Sequence, residues 1–419
     1  MNLKRPECVS GDCKSSYERN TKVIYMNHYE IIRYLKKKFT RIILFPLRLF
    51  PVNRHRILLI NNLSKTFSDN QKYLGIELSK QPDLEIYYAG PGLSCQEKLK
   101  EYGIKPVVMN TFKYFYVGMT SQVLVTNSAG FSYMPLRKKQ YIINTWHGGG
   151  AYKVAGTDMF ENSKLFRKDL LFSSKNTNVF LSTNKRFTKE ISRAMLVPIE
   201  LFWEIGMPRN DGLITKNTVN TDEIKKKIGL KEDQKLVLYA PTYRKPDDNY
   251  FRESITIQYN IDSEKVCKAL HDRFSGDWVF GYRLHPCVKN KADYIINGAL
   301  DLSEYDDMQE LLQAADVLIN DFSSSFWDYM LTEKPCFLYA PDLDHYIEAT
   351  KVYTPVSEWP FPKSRTNEEL ADSILSFDED KYLADCHKHY EDLGGCESGK
   401  ATDLVCERII NVCKGNIVG

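Results

Sequence analysis

The chain has 419 residues, of which 43% are hydrophobic, 12% aromatic and 26% charged with both signs well represented. That balance excludes a disordered or collagen-like chain and calls for two domains of ordinary size. The net charge of +3 is small and local: residues 1–56 hold thirteen Lys or Arg against four Asp or Glu, so no nucleic-acid partner is expected. Ten cysteines are scattered without a CxxC pair, which fits reduced thiols in a cytoplasmic protein better than a zinc site or a disulfide framework. Lys4, Arg5, Glu7, Asp12 and Lys14 interrupt the start before any apolar run long enough for a signal peptide, and no segment reaches the roughly 18 apolar residues of a spanning helix.

In residues 28–56, Ile31, Ile32, Leu35, Phe39, Ile42, Ile43, Leu44 and Phe45 alternate with Arg33, Lys36, Lys37, Lys38, Arg41 and Arg48. The pattern predicts a basic amphipathic helix broken at Pro46, suited to the surface of an anionic membrane. An ordinary helix packed on the first domain is the alternative. From residue 56 short apolar runs alternate with polar turns, at 56–62, 85–90, 122–127, 140–146 and 178–183. A second series follows GMPRND (206–211), at 235–242, 277–286, 314–322 and 334–341. Strands alternating with helical stretches make parallel sheets covered on both faces. The expected class is therefore α/β with two Rossmann-like domains facing a cleft: an N-terminal segment 1–55, a first domain 56–212 and a second 213–419.

Ligands of such sheets sit beyond the carboxyl ends of the strands, so the residues just after each apolar run carry the functional information. His147 follows one strand and precedes Gly148, Gly149 and Gly150. An imidazole there suits general-base work near neutrality, and glycines leave amides free to face an anion. Taken alone, such a histidine also caps turns. Thr242, Tyr243 and Arg244 follow the first strand of the second series, and Arg283 and His285 follow the next. The latter two share one side of the strand and are placed to neutralise phosphate oxygens; a surface pair is the plainer reading. Ser323 and Ser324 stand where a strand passes into a helix, a position that favours phosphate. Asp328 lies about a turn further on, as a partner for a ribose hydroxyl or as a solvated carboxylate. The run GGCESGKA (394–401) matches the spacing of a nucleotide-binding loop but has Ala401 where magnesium needs a hydroxyl, and it follows a helical stretch; a turn before the last helix is expected instead.

WHGGG, GMPRND, APTYR, RLHP and NDFSSSFWDYMLTEKPCFLYAPDLDHY, in this order over residues 56–415, resemble the CDP-glycerol glycerophosphotransferases, the primases and polymerases of wall teichoic acids and capsular polymers. The resemblance implies a GT-B-like fold, two essential histidines at His147 and His285, and CDP-polyol contacts at Gly148, Gly149, Gly150, Arg209, Thr242, Tyr243, Arg244, Arg283, Ser323, Ser324 and Asp328. It implies transfer of a polyol phosphate to a hydroxyl of a lipid-linked polymer acceptor with release of CMP, at the cytoplasmic face of the membrane; no metal cluster is evident in the sequence, and no cofactor or metal is expected. Many teichoic enzymes read HGTP where this chain has HGGG, which leaves the acceptor and the polyol open, with glycerol expected ahead of ribitol or another polyol. A GT-B glycosyltransferase or epimerase using a nucleotide sugar, and a non-catalytic member of an assembly complex, are the other readings.

Overall fold

Runs rich in Ile, Leu, Val and Tyr become strands because such side chains pack well on a pleat buried on both faces. The computed structural model describes residues 28, 30–128, 130–160, 163–215, 221–242, 260–285, 288 and 294–417. In it β1 (Asn53–Ile60), β2 (Glu85–Gly90), β3 (Lys105–Val108), β4 (Ser121–Thr126), β5 (Tyr141–Asn144), β6 (Val179–Ser182) and β7 (Phe202–Glu204) form one sheet in the order β3-β2-β1-β4-β5-β6-β7. A second sheet has the order β10-β9-β8-β11-β12-β13, from β8 (Gln234–Tyr239), β9 (Asp277–Tyr282), β10 (Leu300–Asp301), β11 (Val317–Asn320), β12 (Cys336–Tyr339) and β13 (Lys363–Ser364). All pairings are parallel. In each sheet the strand order reverses beside the first strand, between β1 and β4 and between β8 and β11, and the crevice at such a switch point is where ligands bind.

Residues 30–44 form a helix, α1. It rests on the helix Lys164–Ser174: Lys37 pairs with Asp169, the Ser163 hydroxyl donates to Glu30 at 2.8 Å, and the Arg41 guanidinium lies 4.0 Å from the Phe172 ring centre. Leu44 and Leu47 enter the core on one face of the first sheet. Ile31, Ile32, Leu35, Phe39, Ile42 and Ile43 stay exposed. Among the described residues no helix is long and apolar enough to cross a membrane.

The two sheets meet through buried polar contacts. Lys72, on α2 (Asp69–Leu78), pairs with Asp307 at 2.6 Å, and Arg209 with Asp328 at 2.8 Å. The helix Ala401–Lys414 then returns to the first sheet. Its Val405, Ile409 and Val412 share a core with Ile57, Leu74 and Val123, although the sequence grouped residues 213–419 together. An apolar helical stripe shows that a face is buried but not against which sheet. At the start of this helix the amides of Ala401 and Thr402 donate to Asp211, at 3.0 and 2.7 Å, so a carboxylate occupies the place a phosphate would take.

Candidate active site

The loop after β5 carries His147. Its Nδ1 lies 2.6 Å from the Asn127 carbonyl oxygen at the end of β4. A carbonyl only accepts, so Nδ1 carries the proton and Nε2 keeps the lone pair. Trp146 stacks on the imidazole at 4.5 Å from a left-handed backbone conformation, φ +55°, which is uncommon for a bulky residue and costs energy that the surroundings must offset. Burial holds the imidazole below its ordinary pKa; Arg209 acts in the same direction, while the Asn127 carbonyl and Asp69 act against it.

The three glycines after His147 serve close packing. A Cβ on Gly148 would lie 3.0 Å from Ser324 Oγ, one on Gly149 would lie 2.3 Å from Trp327 Cδ1, and Gly150 has φ +78° with the Tyr152 ring 2.7 Å from its Cβ position. The loop of the first sheet thus lies directly on the helix Ser325–Met330 of the second. Only glycine permits that approach.

The opposite wall comes from the ends of β8, β9 and β11. Asp321 accepts from the Thr242 amide at 2.9 Å and its hydroxyl at 2.6 Å, fixing the end of β8. Arg283 donates through Nη2 to the Tyr305 carbonyl at 2.9 Å, while its buried Nη1 has no hydrogen-bond partner among the described residues. An orphaned buried guanidinium nitrogen calls for a ligand. His285 occupies an exposed position on this wall; desolvation in the cavity, then Lys153 and Arg283, lower its pKa, with Asp321 opposing. Ser323 Oγ accepts from the Ser325 amide at 3.3 Å, and the helix that follows is short.

His147, Gly148, Gly149, Thr242, Arg283, His285, Ser323 and Ser324 line one cavity of about 650 Å³ between the sheets. The structure does not bring Arg209 and Asp328 to its surface. They are 7% and 2% exposed and pair with each other beneath it, with Arg209 also bound to Asp69 and to the His147 carbonyl, each at 3.0 Å. Burial opposes charge on both, but the Asp328 and Asp69 carboxylates outweigh it for the guanidinium, which stays charged. Gly150 lies outside the cavity lining, and Tyr243 and Arg244 lie outside the described residues.

Sequence reasoning passed over Lys153, which lines the cavity and acts on His285. It also passed over the stretch 69–71. There Asp69 binds Arg209 and Asn127, Asn70 donates to the Trp146 carbonyl at 3.3 Å, and Gln71 to Thr145 Oγ1 at 3.2 Å. A polar triplet opening a helix reads as ordinary capping, which hid its contacts to the histidine loop. Among the described residues no group of three or more His, Cys, Asp or Glu is placed to hold a metal.

Two doubly wound sheets with a cationic, histidine-bearing cavity between them make a GT-B-like fold. The profile of the CDP-glycerol:poly(glycerophosphate) glycerophosphotransferase family matches residues 42–411. A teichoic acid glycerol-phosphate transferase of Staphylococcus aureus is 26% identical over 358 residues, covering 82% of this chain and 90% of that protein. A teichoic acid poly(glycerol phosphate) polymerase of Bacillus subtilis is 25% identical, with 86% of this chain matching 49% of the longer relative. The solved wall teichoic acid polymerase TagF superposes with a TM-score of 0.74 at 24% identity, over 93% of this chain and 98% of that one, and shares the fold. The chain belongs to the CDP-glycerol:poly(glycerophosphate) glycerophosphotransferase family. It is an enzyme that transfers glycerol phosphate from CDP-glycerol to a polymer acceptor.

Proposed function

We propose that the reaction runs in the cavity between the sheets, with His147 as general base and the second sheet binding the diphosphate. The acceptor hydroxyl gives its proton to His147 Nε2 while its oxygen bonds to the glycerol-bearing phosphorus. The bond from that phosphorus to the CMP oxygen breaks, and CMP leaves with the electron pair. Little covalent work falls to the protein in such a transfer, so positioning and charge stabilisation carry the rate. Arg283, His285 and Lys153 supply positive charge around the diphosphate, with Thr242, Ser323 and Ser324 as hydrogen-bond partners, and the reading calls for no cofactor. The observation that carries it is the 2.6 Å contact from His147 Nδ1 to a carbonyl, which presets the basic nitrogen in a cavity that also holds an arginine nitrogen with no partner among the described residues.

The same reading extends to a lipid-linked acceptor and to a membrane surface. Met159, Phe166, Phe187, Ile191 and Met195 give the cavity an apolar side, on which Phe166 belongs to the helix that carries α1, more apolar surface than glycerol phosphate or a nucleotide needs. The exposed apolar face of α1, flanked by Arg33, Lys36 and Lys38, suits an anionic leaflet. The test is a donor screen with purified enzyme and a lipid-linked acceptor. CMP release from CDP-glycerol, with no UDP from UDP-sugars, is expected. UDP release without CMP would replace this reading by a glycosyltransferase.

A further inference from the structure

We infer that Asp69 is a positioning residue for the reaction, holding Asn127 and Arg209 on either side of His147 so that the imidazole keeps its proton on Nδ1. The inference rests on the reading of His147 as the base and adds what sets its tautomer.

An aspartate in the first turn of a helix ordinarily serves the helix's own amides. Asp69 opens α2, yet its carboxylate reaches across to two loops. Oδ2 accepts from Asn127 Nδ2 at 2.7 Å, and Oδ1 from Arg209 Nη1 at 3.0 Å and Asn70 Nδ2 at 3.2 Å. Asn127 is pinned further by its bond to Asn61 Oδ1 at 2.9 Å and by the Asn62 amide, which donates to it at 3.0 Å. The backbone carbonyl of that fixed residue is the one that receives His147 Nδ1. On the other side Arg209 donates to the His147 carbonyl at 3.0 Å and reaches Asp328 of the second sheet at 2.8 Å. One carboxylate therefore links the histidine's hydrogen-bond partner, the histidine's backbone and the contact between sheets.

The backbone of Asp69 has φ +60°. Asp and Asn tolerate that left-handed conformation better than other side-chain-bearing residues, and glycine better still. A strained aspartate persisting where glycine would fit without strain points to a use for its carboxylate. That carboxylate favours the protonated imidazole and Arg209 disfavours it. Among the described residues the other charged or titratable groups on the cavity wall are Tyr152, Lys153, Arg283 and His285, and Asp328 lies behind Arg209.

Asp69→Asn is the decisive variant, because asparagine accepts the same backbone conformation. CMP release should fall about 10- to 100-fold, less than the ~10⁴ lost when a carboxylate bonded directly to a catalytic histidine is replaced, with KM for CDP-glycerol unchanged. The acid limb of the pH–rate profile should move to lower pH, since the group that favours imidazolium is gone. Nitrogen-15 spectra of histidine-labelled protein should show His147 as the Nδ1–H tautomer in the parent and a mixture in the variant. A lower rate with an unmoved limb and an unchanged tautomer would make Asp69 merely structural and overturn the inference, as would parent-like turnover. If His147→Ala were fully active, the base reading would fail, while the spectra would still report whether Asp69 sets the tautomer.

Discussion

The cavity's two histidines are built in opposite ways. His147 is wired from behind: its ring nitrogen, its carbonyl and the loop before it are each held, by Asn127, Arg209 and the stretch 69–71. His285 stands on the other wall, where desolvation and then the charges of Lys153 and Arg283 lower its pKa, with Asp321 opposing. A group that must present one nitrogen in one protonation state needs such a frame, whereas a group that stabilises charge needs only to be near it. Under the proposed reading, proton transfer falls to the first wall and diphosphate binding to the second.

Removing each histidine tests that division most forcefully. His147→Ala should lower CMP release by about two to four orders of magnitude, the span of lost acid–base catalysis. His285→Ala should cost about a hundredfold to a thousandfold, the scale of a lost charge-stabilising donor. Steady-state CMP assays on folded variants decide it, and equal losses with identical pH profiles would erase the distinction. Arg283→Ala acts wholly on the second wall. A hydrogen bond to a charged group contributes about 1.5–3 kcal/mol, so calorimetry should show CDP-glycerol binding about 10- to 100-fold more weakly. Unchanged affinity would place the diphosphate elsewhere.

The fold was legible where physics is local. Apolar runs in 56–62, 122–127, 140–146, 235–242, 277–286 and 314–322 became strands, and the polar residues at or just after their ends became the cavity wall, including His147, Arg283, His285, Ser323 and Ser324. Less legible was anything fixed by long-range contact. Family resemblance alone makes Arg209 a ligand contact, and Asp328 also reads as a solvated carboxylate; only folding brings them 2.8 Å apart as a buried pair. The glycines after His147 read as room for an anion, and Gly148 and Gly149 also make room for Ser324 and Trp327. The last helix announces an apolar stripe, while its partner sheet lies in the first half of the chain.

The smallest effect concerns α1. Lys37 and Arg41 face the protein, against Asp169 and Phe172, so Lys36 and Lys38, both exposed, are the cations to neutralise. Each contributes about 1 kcal/mol near an anionic surface. Lys36→Gln with Lys38→Gln should weaken sedimentation with anionic vesicles at low salt while leaving turnover on a soluble acceptor intact. Equal vesicle binding by the variant and the parent would leave α1 a structural helix.

The pH dependence of CMP release separates the two walls most directly. Because burial holds His147 below the ordinary imidazole pKa of about 6.5, the neutral base persists to lower pH, and the acid limb of the parent should lie below that value. That limb should remain in His285→Ala at reduced amplitude and disappear from the residual activity of His147→Ala. A limb that vanished in His285→Ala and survived in His147→Ala would exchange the roles assigned to the two histidines and contradict the account.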